Sequence, residues 1–524
     1  MAKKKTTKKT KRVKLSTPLI IILILILAIV IGVFGFFYYK ASKALAEVNV
    51  SIGEIEQDNQ TITFNVLVSG DCDAYDVYAN SSSDTIVIAE DEGISSSEKS
   101  YSYTFTAYDT YEIGVSVYKK ILGFYSVSKD FACQSVTIKY NPSEACEGII
   151  YDDFQIHFMT LGNSSAGDSI YIKAGDSDIL IDAGSEVGSF DTTSAYINNY
   201  CTDGKIEYVI ATHGDKDHIA AFPKFVDAYE MGTIITNEHT TKETNTYNNM
   251  LAAFESEVSN GAKWYYAADC WNNTNGASRD YELSDNVVMH VVYNYYYFCD
   301  ESSDENDYSV CTLFEYKANG ESKYFFLGGD LEKKGENKMV EFYDGSTEEK
   351  TMPKVELYKA GHHGSNTSSN TAFLEMLKPS VCVVCCCCGT NEYTTDYTIQ
   401  FPTQQFINRI ALWTDAVYAT SVWDVALNSF KDLNGNVIVS AGLDDEGKAS
   451  YAVAASNNLI KLKDTEWFNE TIYVTNYEEA TSTDNQNTKS VPHGNNSATK
   501  KDYTFYTSTT EGAVAVPRRT WPQL

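Results

Sequence analysis

Seven consecutive residues, Thr212-His213-Gly214-Asp215-Lys216-Asp217-His218, place two imidazoles and two carboxylates within six positions, directly after an apolar run. Imidazole nitrogens and carboxylate oxygens are ligands for divalent transition ions. Alternate residues of a tight strand-to-helix turn can point into one pocket, so this segment alone would supply most of a two-ion site. The rival reading, an acidic turn with incidental histidines, sits poorly with a chain that has only eight His in 524 residues. Three more apolar runs end in the same manner. Leu180-Ile181-Asp182-Ala183-Gly184 closes on a carboxylate and a permissive glycine, and Phe326-Leu327-Gly328-Gly329-Asp330 repeats that pattern. Ala360-Gly361-His362-His363-Gly364-Ser365 carries two imidazoles. Each signal alone is weak; four strand ends together are strong.

The elements that must position these residues are legible from periodicity. Strands are expected at IHFMTLG, SIYIKAG, DILIDAG, YVIATHG, KYFFLGGD, VELYKAGHHG and SVCVVCCCC. Between them lie amphipathic stretches with apolar residues at helical spacing: AFPKFVDAYE, NNMLAAFESEV, NTAFLEMLKP and TQQFINRIALW. The third stops at Pro379, as a helix should. Alternation of this kind predicts an α/β unit over 154–455. His157 falls on one of the buried strands and reads as a satisfied core residue. Four adjacent cysteines, Cys385 to Cys388, cannot converge on one ion, because neighbours on a strand point to opposite faces. They read as small apolar residues of a strand buried on both sides.

Outside that unit the chain changes character. Residues 1–17 form a basic tail, with eight Lys and Arg in the first fourteen positions. Residues 18–39 are uncharged and apolar, long enough to span a bilayer as one helix, and lack the small-residue cleavage site of a signal peptide. The basic flank predicts a cytoplasmic N-terminus and an extracellular catalytic domain on a single-pass anchor in the cell membrane. Residues 48–140 read as short alternating strands spaced by about ten residues, the pattern of an all-β immunoglobulin-like sandwich. This sandwich holds no catalytic cluster and reads as a spacer or adhesive module; Cys72 and Cys133 within it could pair in an oxidising compartment. Residues 476–524 are expected to be a polar, largely disordered tail.

Charge narrows the partners. Of 41 basic residues eight lie in that first segment, leaving 33 against 71 acidic ones. Such a surface repels nucleic acid at long range, so no stable nucleic-acid complex is expected and any phosphoester chemistry needs a locally neutralised site.

The order IDAG, THGDKDH, LGGD, GHHGS resembles the metallo-β-lactamase fold hydrolases, and more narrowly the branch typified by the extracytoplasmic hydrolase domain of the ComEC DNA-uptake channel proteins. Asp215 stands where the wider superfamily has a His. Asn306-Asp307-Tyr308-Ser309-Val310 and the stretch HHGSNTSSNTAFLEMLKPSVCVV also resemble segments of that branch. The likeness covers about 154–445 and excludes the anchor and the sandwich. It implies a four-layer αββα fold and two divalent metal ions, zinc or manganese. His213 and Asp215 would bind one ion, Asp217 and His218 the other, and Asp330 would bridge them. His362 would complete the second site, with His363 as an outer or proton-donating residue; the exchange of these two roles is the alternative. Asp182 would brace the metal-binding turn through hydrogen bonds. Asp217 could also orient or deprotonate the nucleophile, and Asp168-Ser169 matches the family's GDS element. Two departures stand out: Ala220-Ala221 replaces Gly-Gly after the Asp-His pair, and Phe401-Pro402 replaces His-Pro. The superfamily's middle His ligand has no clear counterpart, His239 and His290 being the candidates nearby.

Two cations lower the pKa of a water to near neutrality and screen an anionic phosphate. The expected function is therefore a membrane-anchored hydrolase of phosphodiesters. The alternatives are an esterase acting on phosphorylated cell-envelope polymers and a catalytically silent metal-binding scaffold. Protein partners are not indicated.

Overall fold

The computed structural model describes residues 17–58, 61–81, 85–95, 97–105, 110–121, 125–137, 147–394, 396–474, 505–506 and 514–523. Two compact units divide the chain, Met1–Lys139 and Tyr140–Leu524.

The first unit begins with the helix Thr17–Ala46. Its segment Leu25–Ala46 is long and apolar enough to cross a membrane. Two antiparallel four-stranded sheets follow. One pairs Thr61–Ser69 with Asn49–Ile52, Glu56–Asp58 and Lys99–Thr104; the other runs Thr85–Gly93, Ala74–Asn80, Thr110–Ile121, Tyr125–Thr137. Period-two alternation drives their association. Ile62, Phe64, Val66 and Val68 of one sheet share a core with Tyr75, Val77, Ala79, Ile113, Val115 and Val117 of the other. The side chain of Cys133 lies outside the described residues, so its pairing with Cys72 does too.

The second unit is built on two larger sheets. A nine-stranded sheet has the order Lys263–Tyr266, Glu230–Thr236, Lys205–Ile210, Ser177–Ile181, Ile170–Ala174, Phe154–Phe158, Val437–Leu443, Ala449–Ala455, Glu147–Gly148. An eight-stranded sheet runs Asp280–Ser284, Val287–Val291, Thr312–Ala318, Glu321–Leu327, Leu357–Lys359, Val381–Cys388, Val417–Asp424, Ser429–Asp432. Their inner faces meet in one core, where Phe154 packs between Phe314 and Phe325 with ring centroids 5.9 and 5.3 Å away. On the outer face of the first sheet, Phe222, Phe225 and Phe254 bring the helices Phe222–Ala228 and Asn245–Asn260 down onto Leu180, Val209 and Ile234. On the outer face of the second, Phe373, Leu377, Phe406 and Ile410 dock the helices Thr371–Leu377 and Gln404–Ile410 onto Cys382, Val384 and Cys386. Helix, sheet, sheet and helix thus form four layers, each interface sealed by an apolar stripe.

Val381–Cys388 is buried at every position. Cys385 faces the inter-sheet core and Cys382, Cys386 and Cys388 face the helices, so this strand must be apolar on both sides. His157 is buried with both ring nitrogens engaged, Nδ1 at 2.8 Å from the Tyr196 hydroxyl and Nε2 at 3.1 Å from Gln155 Oε1.

The expectation of a polar tail over 476–524 does not extend to its last described segment. Val514–Pro517 pairs antiparallel with Thr471–Val474. Just beyond, buried Arg519 donates to the carbonyls of Gln400 and Pro402, tying the chain's end to the loop after the cysteine-rich strand.

Position follows from topology. Ser177–Ile181, Lys205–Ile210, Glu321–Leu327, Leu357–Lys359 and Val381–Cys388 lie in parallel pairings. Their carboxyl ends therefore open at the same edge of each sheet, the usual place for a site in α/β structures.

Candidate metal centre

Asp182 leaves its strand with a left-handed φ of +59°. That turn aims its carboxylate across the neighbouring strand end. Thr212 donates to it from N at 2.8 Å and from Oγ1 at 2.7 Å, and His218 Nδ1 lies 2.7 Å from Oδ2. With Nδ1–H given to Asp182, His218 turns Nε2 inward, 3.1 Å from Asp330 Oδ2. His363 is oriented by the same device: Nδ1 donates to the Cys385 carbonyl at 2.8 Å, and Nε2 lies 3.0 Å from Asp330 Oδ2 and 3.3 Å from Asp217 Oδ2. One ligand atom each from Asp217, His218, Asp330 and His363 lies within 4.8 Å of the other three, and all four residues are buried.

Each sequence-expected residue now has a place. Asp217, His218 and Asp330 converge, with Asp182 behind His218. His213 borders the cluster, its ring 4.2 Å from that of His218, and its Nε2 is buried without a hydrogen-bond partner. Asp215 Oδ2 is 3.6 Å from that nitrogen, while Asp215 Oδ1 pairs with Lys242. The two adjacent histidines part company. His363 points into the cluster, whereas His362 Nδ1 lies 2.7 Å from Glu332 Oε1. Consecutive left-handed residues, φ +43° and +53°, send the two rings apart. His290 lies on a distant strand, 2.7 Å from Asp280, and the His239 ring lies 6.1 Å from that of Tyr308; neither joins the cluster.

Two residues outside the sequence-predicted set complete the surroundings. Fully buried Lys359 sets its ammonium 2.6 Å from Asp168 Oδ2, 2.6 Å from Asp330 Oδ1 and 2.8 Å from the Gly329 carbonyl. The Tyr393 hydroxyl donates to Asp217 Oδ2 at 3.1 Å from a loop 176 residues away. A lysine inside the apolar run VELYKAG was the one hint available for Lys359; Tyr393 offered none.

Charge in the cluster is balanced by protons. Burial pulls the His363 pKa down from 6.5, but Asp330 and Asp217 outweigh it and leave it raised to about 9. Burial likewise opposes protonation of His218, and Asp330, Asp182 and Asp168 override it, raising its pKa well above the usual range. Asp330 is the counterpart: burial would raise it, yet His363, Lys359 and His218 hold it well below the carboxylate range. His213 differs, because burial and the nearby His218 keep it neutral.

These residues fit a divalent ion. Two imidazole nitrogens whose opposite nitrogens are already committed, two carboxylate oxygens and an orphaned neutral nitrogen at the border form a mixed N/O donor set. Because an ion takes the neutral imidazole, its uptake must expel the protons held by His363 and His218. Affinity should therefore climb with pH through neutrality. Calorimetric titration in two buffers of different ionisation heat reads the released protons, and pH-independent uptake would contradict the assignment. The ion-free protein has the opposite dependence. A His363 pKa raised above 6.5 stabilises the fold fully below that value, and the contribution is lost as pH passes through about 9. Asp182→Asn should cost roughly 10–100-fold in ion affinity without displacing a donor, since it weakens the brace on His218. An unchanged affinity would remove Asp182 from that role.

Residues 163–287 match the family described as Metallo-beta-lactamase superfamily, a span that takes in Asp168, Asp182 and the His213–His218 turn. No curated protein matches the chain. Among solved structures, the Rm3 metallo-beta-lactamase is 9% identical over 37% of this chain and 64% of its own, with a TM-score of 0.23. MEM-A1, a subclass B3 metallo-beta-lactamase isolated from a soil metagenome library, is 12% identical over 37% and 65%, with a TM-score of 0.23. A Cronobacter sakazakii metallo-beta-lactamase with a HARLDQ motif is 12% identical over 37% and 65%, with a TM-score of 0.22. The chain thus spans 64–65% of the length of these enzymes.

Proposed function

We propose that this chain, which carries a metallo-beta-lactamase superfamily domain, is a membrane-anchored hydrolase that cleaves phosphodiester bonds. The observation that carries the reading is the convergence of Asp217, His218, Asp330 and His363 within 4.8 Å. In this reading His363 rather than His362 is the ligand. His213 and Asp215 serve a second ion, and the ions are zinc or manganese. The ions supply a water of lowered pKa and positive charge against a phosphate. The protein's own groups do the rest. Asp182 and the Cys385 carbonyl fix which imidazole nitrogens face inward. Lys359 holds one oxygen of Asp330, leaving the other for the cluster. Tyr393 keeps Asp217 aimed at His363, and in this reading Asp217 orients or deprotonates an attacking water.

The apolar helix supports a single-pass anchor, with the basic first residues in the cytoplasm and the catalytic unit outside. That placement favours a second reading, in which the substrate is a phosphorylated cell-envelope polymer. The acidic balance of the chain favours small or neutralised esters over long nucleic acid in either case.

Full-length protein in detergent, loaded with manganese or zinc, should cleave bis-p-nitrophenyl phosphate and lose that activity to a chelator. Elemental analysis combined with a panel of phosphodiesters, phosphomonoesters and nucleic acids tests the reading. Bound ions with no turnover across the panel would instead leave a metal-binding scaffold. Activity confined to wall fractions would support the envelope substrate.

A further inference from the structure

The His213–Asp215 side of the centre contains a cation of the protein's own. Asp215 is buried, and one of its oxygens is ion-paired with the ammonium of Lys242. The pairing is built rather than incidental. Glu305 accepts from Gly214 N at 2.8 Å, from Thr240 Oγ1 at 2.8 Å and from Thr241 Oγ1 at 2.7 Å. One buried carboxylate thus pins both the metal-binding turn and the segment that carries Lys242, whose own N donates to Thr240 Oγ1 at 3.0 Å. The packing leaves no slack: a Cβ on Gly214 would sit 2.6 Å from Glu305 Oε1 and 3.1 Å from Lys242 Cγ. Across this turn, Asp215 Oδ2 faces the unpartnered Nε2 of His213. In the four-donor cluster the one ammonium nearby, Lys359, engages Asp330 Oδ1, while Asp330 Oδ2 faces His218 and His363, whose protons rather than a lysine must leave for an ion.

We propose that Lys242 is an internal counter-ion that competes with the second divalent ion for Asp215, so that the two ions bind in unequal steps. The first step fills the Asp217, His218, Asp330 and His363 cluster. The second requires the Lys242 ammonium to leave Asp215, because like charges at such range repel. Lys242 is partly exposed, with side-chain accessibility of 19%, so its ammonium can swing toward solvent. This inference rests on the metal-centre reading above and concerns how that centre fills.

Calorimetric titration of the full-length, chelator-stripped protein with manganese alone tests it, alongside Lys242→Met and Lys242→Arg. Wild type should show one tight step and one weaker by at least about tenfold, of the order seen when one group beside a metal site is changed. Lys242→Met should tighten the second step by about tenfold or more and leave the first within about twofold. Lys242→Arg, which keeps the charge, should behave as wild type. Thermal denaturation checks each variant's fold, and Lys242→Gln reads the same step if Lys242→Met fails to fold. Two equal steps in wild type, a second step unmoved in Lys242→Met, or Lys242→Arg behaving like Lys242→Met would overturn the proposal. Unequal steps without turnover on any phosphoester would sink the hydrolase reading alone. Uptake of no ion would sink both.

Discussion

Replacing His363 by alanine should strip the tightly bound ion and abolish turnover, whereas the same change at His362 should leave the ion in place. The two side chains are adjacent and equally buried, and both backbones are left-handed. An L-residue in that conformation costs about 1–2 kcal/mol, and the same His→Ala change is made at two left-handed positions, so the pair is a controlled comparison. What differs is direction. His363 Nε2 lies 3.0 Å from Asp330 Oδ2 and 3.3 Å from Asp217 Oδ2, with its other nitrogen fixed by a backbone carbonyl. Removing it deletes one of four donors, so the loss in ion affinity should exceed the roughly 100-fold ceiling typical of bracing partners. His362 is occupied by Glu332 at 2.7 Å, and Asn306 and Thr367 lie near the same nitrogen at 3.4 Å. Its removal disturbs that polar group and should lower ion affinity by no more than about tenfold. Elemental analysis after dialysis, with circular dichroism to verify folding, decides the matter. Retention of the ion by His363→Ala and its loss from His362→Ala would reverse the assignment.

That pair also marks the boundary of what the chain's sequence discloses. The strand ends were legible because each couples an apolar run to a Gly-containing turn and a metal-capable side chain, and parallel pairing then carries all of them to one edge. The helices Asn245–Asn260, Thr371–Leu377 and Gln404–Ile410 were legible for a similar local reason. Their apolar spacing is regular, and Thr244, Asn370 and Thr403 cap their first turns. Which of two neighbouring imidazoles turns inward is not local. It depends on Cys385 and Glu332 offering acceptors from different elements, 22 and 30 residues away in the chain. Tyr393 and Lys242 were illegible for the same reason, each meeting its carboxylate only after the loops close. The cysteine run shows the converse. Period-two geometry excluded convergence on one ion, and the strand is indeed buried on both faces.

Lys359→Met should produce the largest loss of stability among single changes at this centre, and a divalent ion should restore part of it. A buried ammonium between two buried carboxylates is costly to desolvate, and its own burial would lower its pKa. Asp168 and Asp330 reverse that, raising the lysine pKa above its ordinary value, so the cation is held throughout the physiological range. Methionine fills similar volume but leaves both carboxylates without this partner, a situation that costs about 3–5 kcal/mol when one member of a buried ion pair is removed. For a unit of this size the melting temperature should fall on the order of 4–6 °C. Asp330 keeps His218 and His363 as partners, while Asp168 loses its closest cation, so the penalty falls mainly on Asp168. Two signatures separate this from ordinary core damage. Added manganese or zinc should raise the melting temperature of Lys359→Met more than that of wild type, because the ion supplies positive charge beside Asp330. Lowering the pH should also shrink the deficit, since a buried carboxylate without its cation gains a proton more readily and a neutral carboxyl tolerates burial. The deficit should therefore be greatest at neutral pH in chelator and smallest in acid or with the ion bound. A variant that melts at the wild-type temperature in chelator would show that Lys359 is not the charge that holds this centre together before the ion arrives.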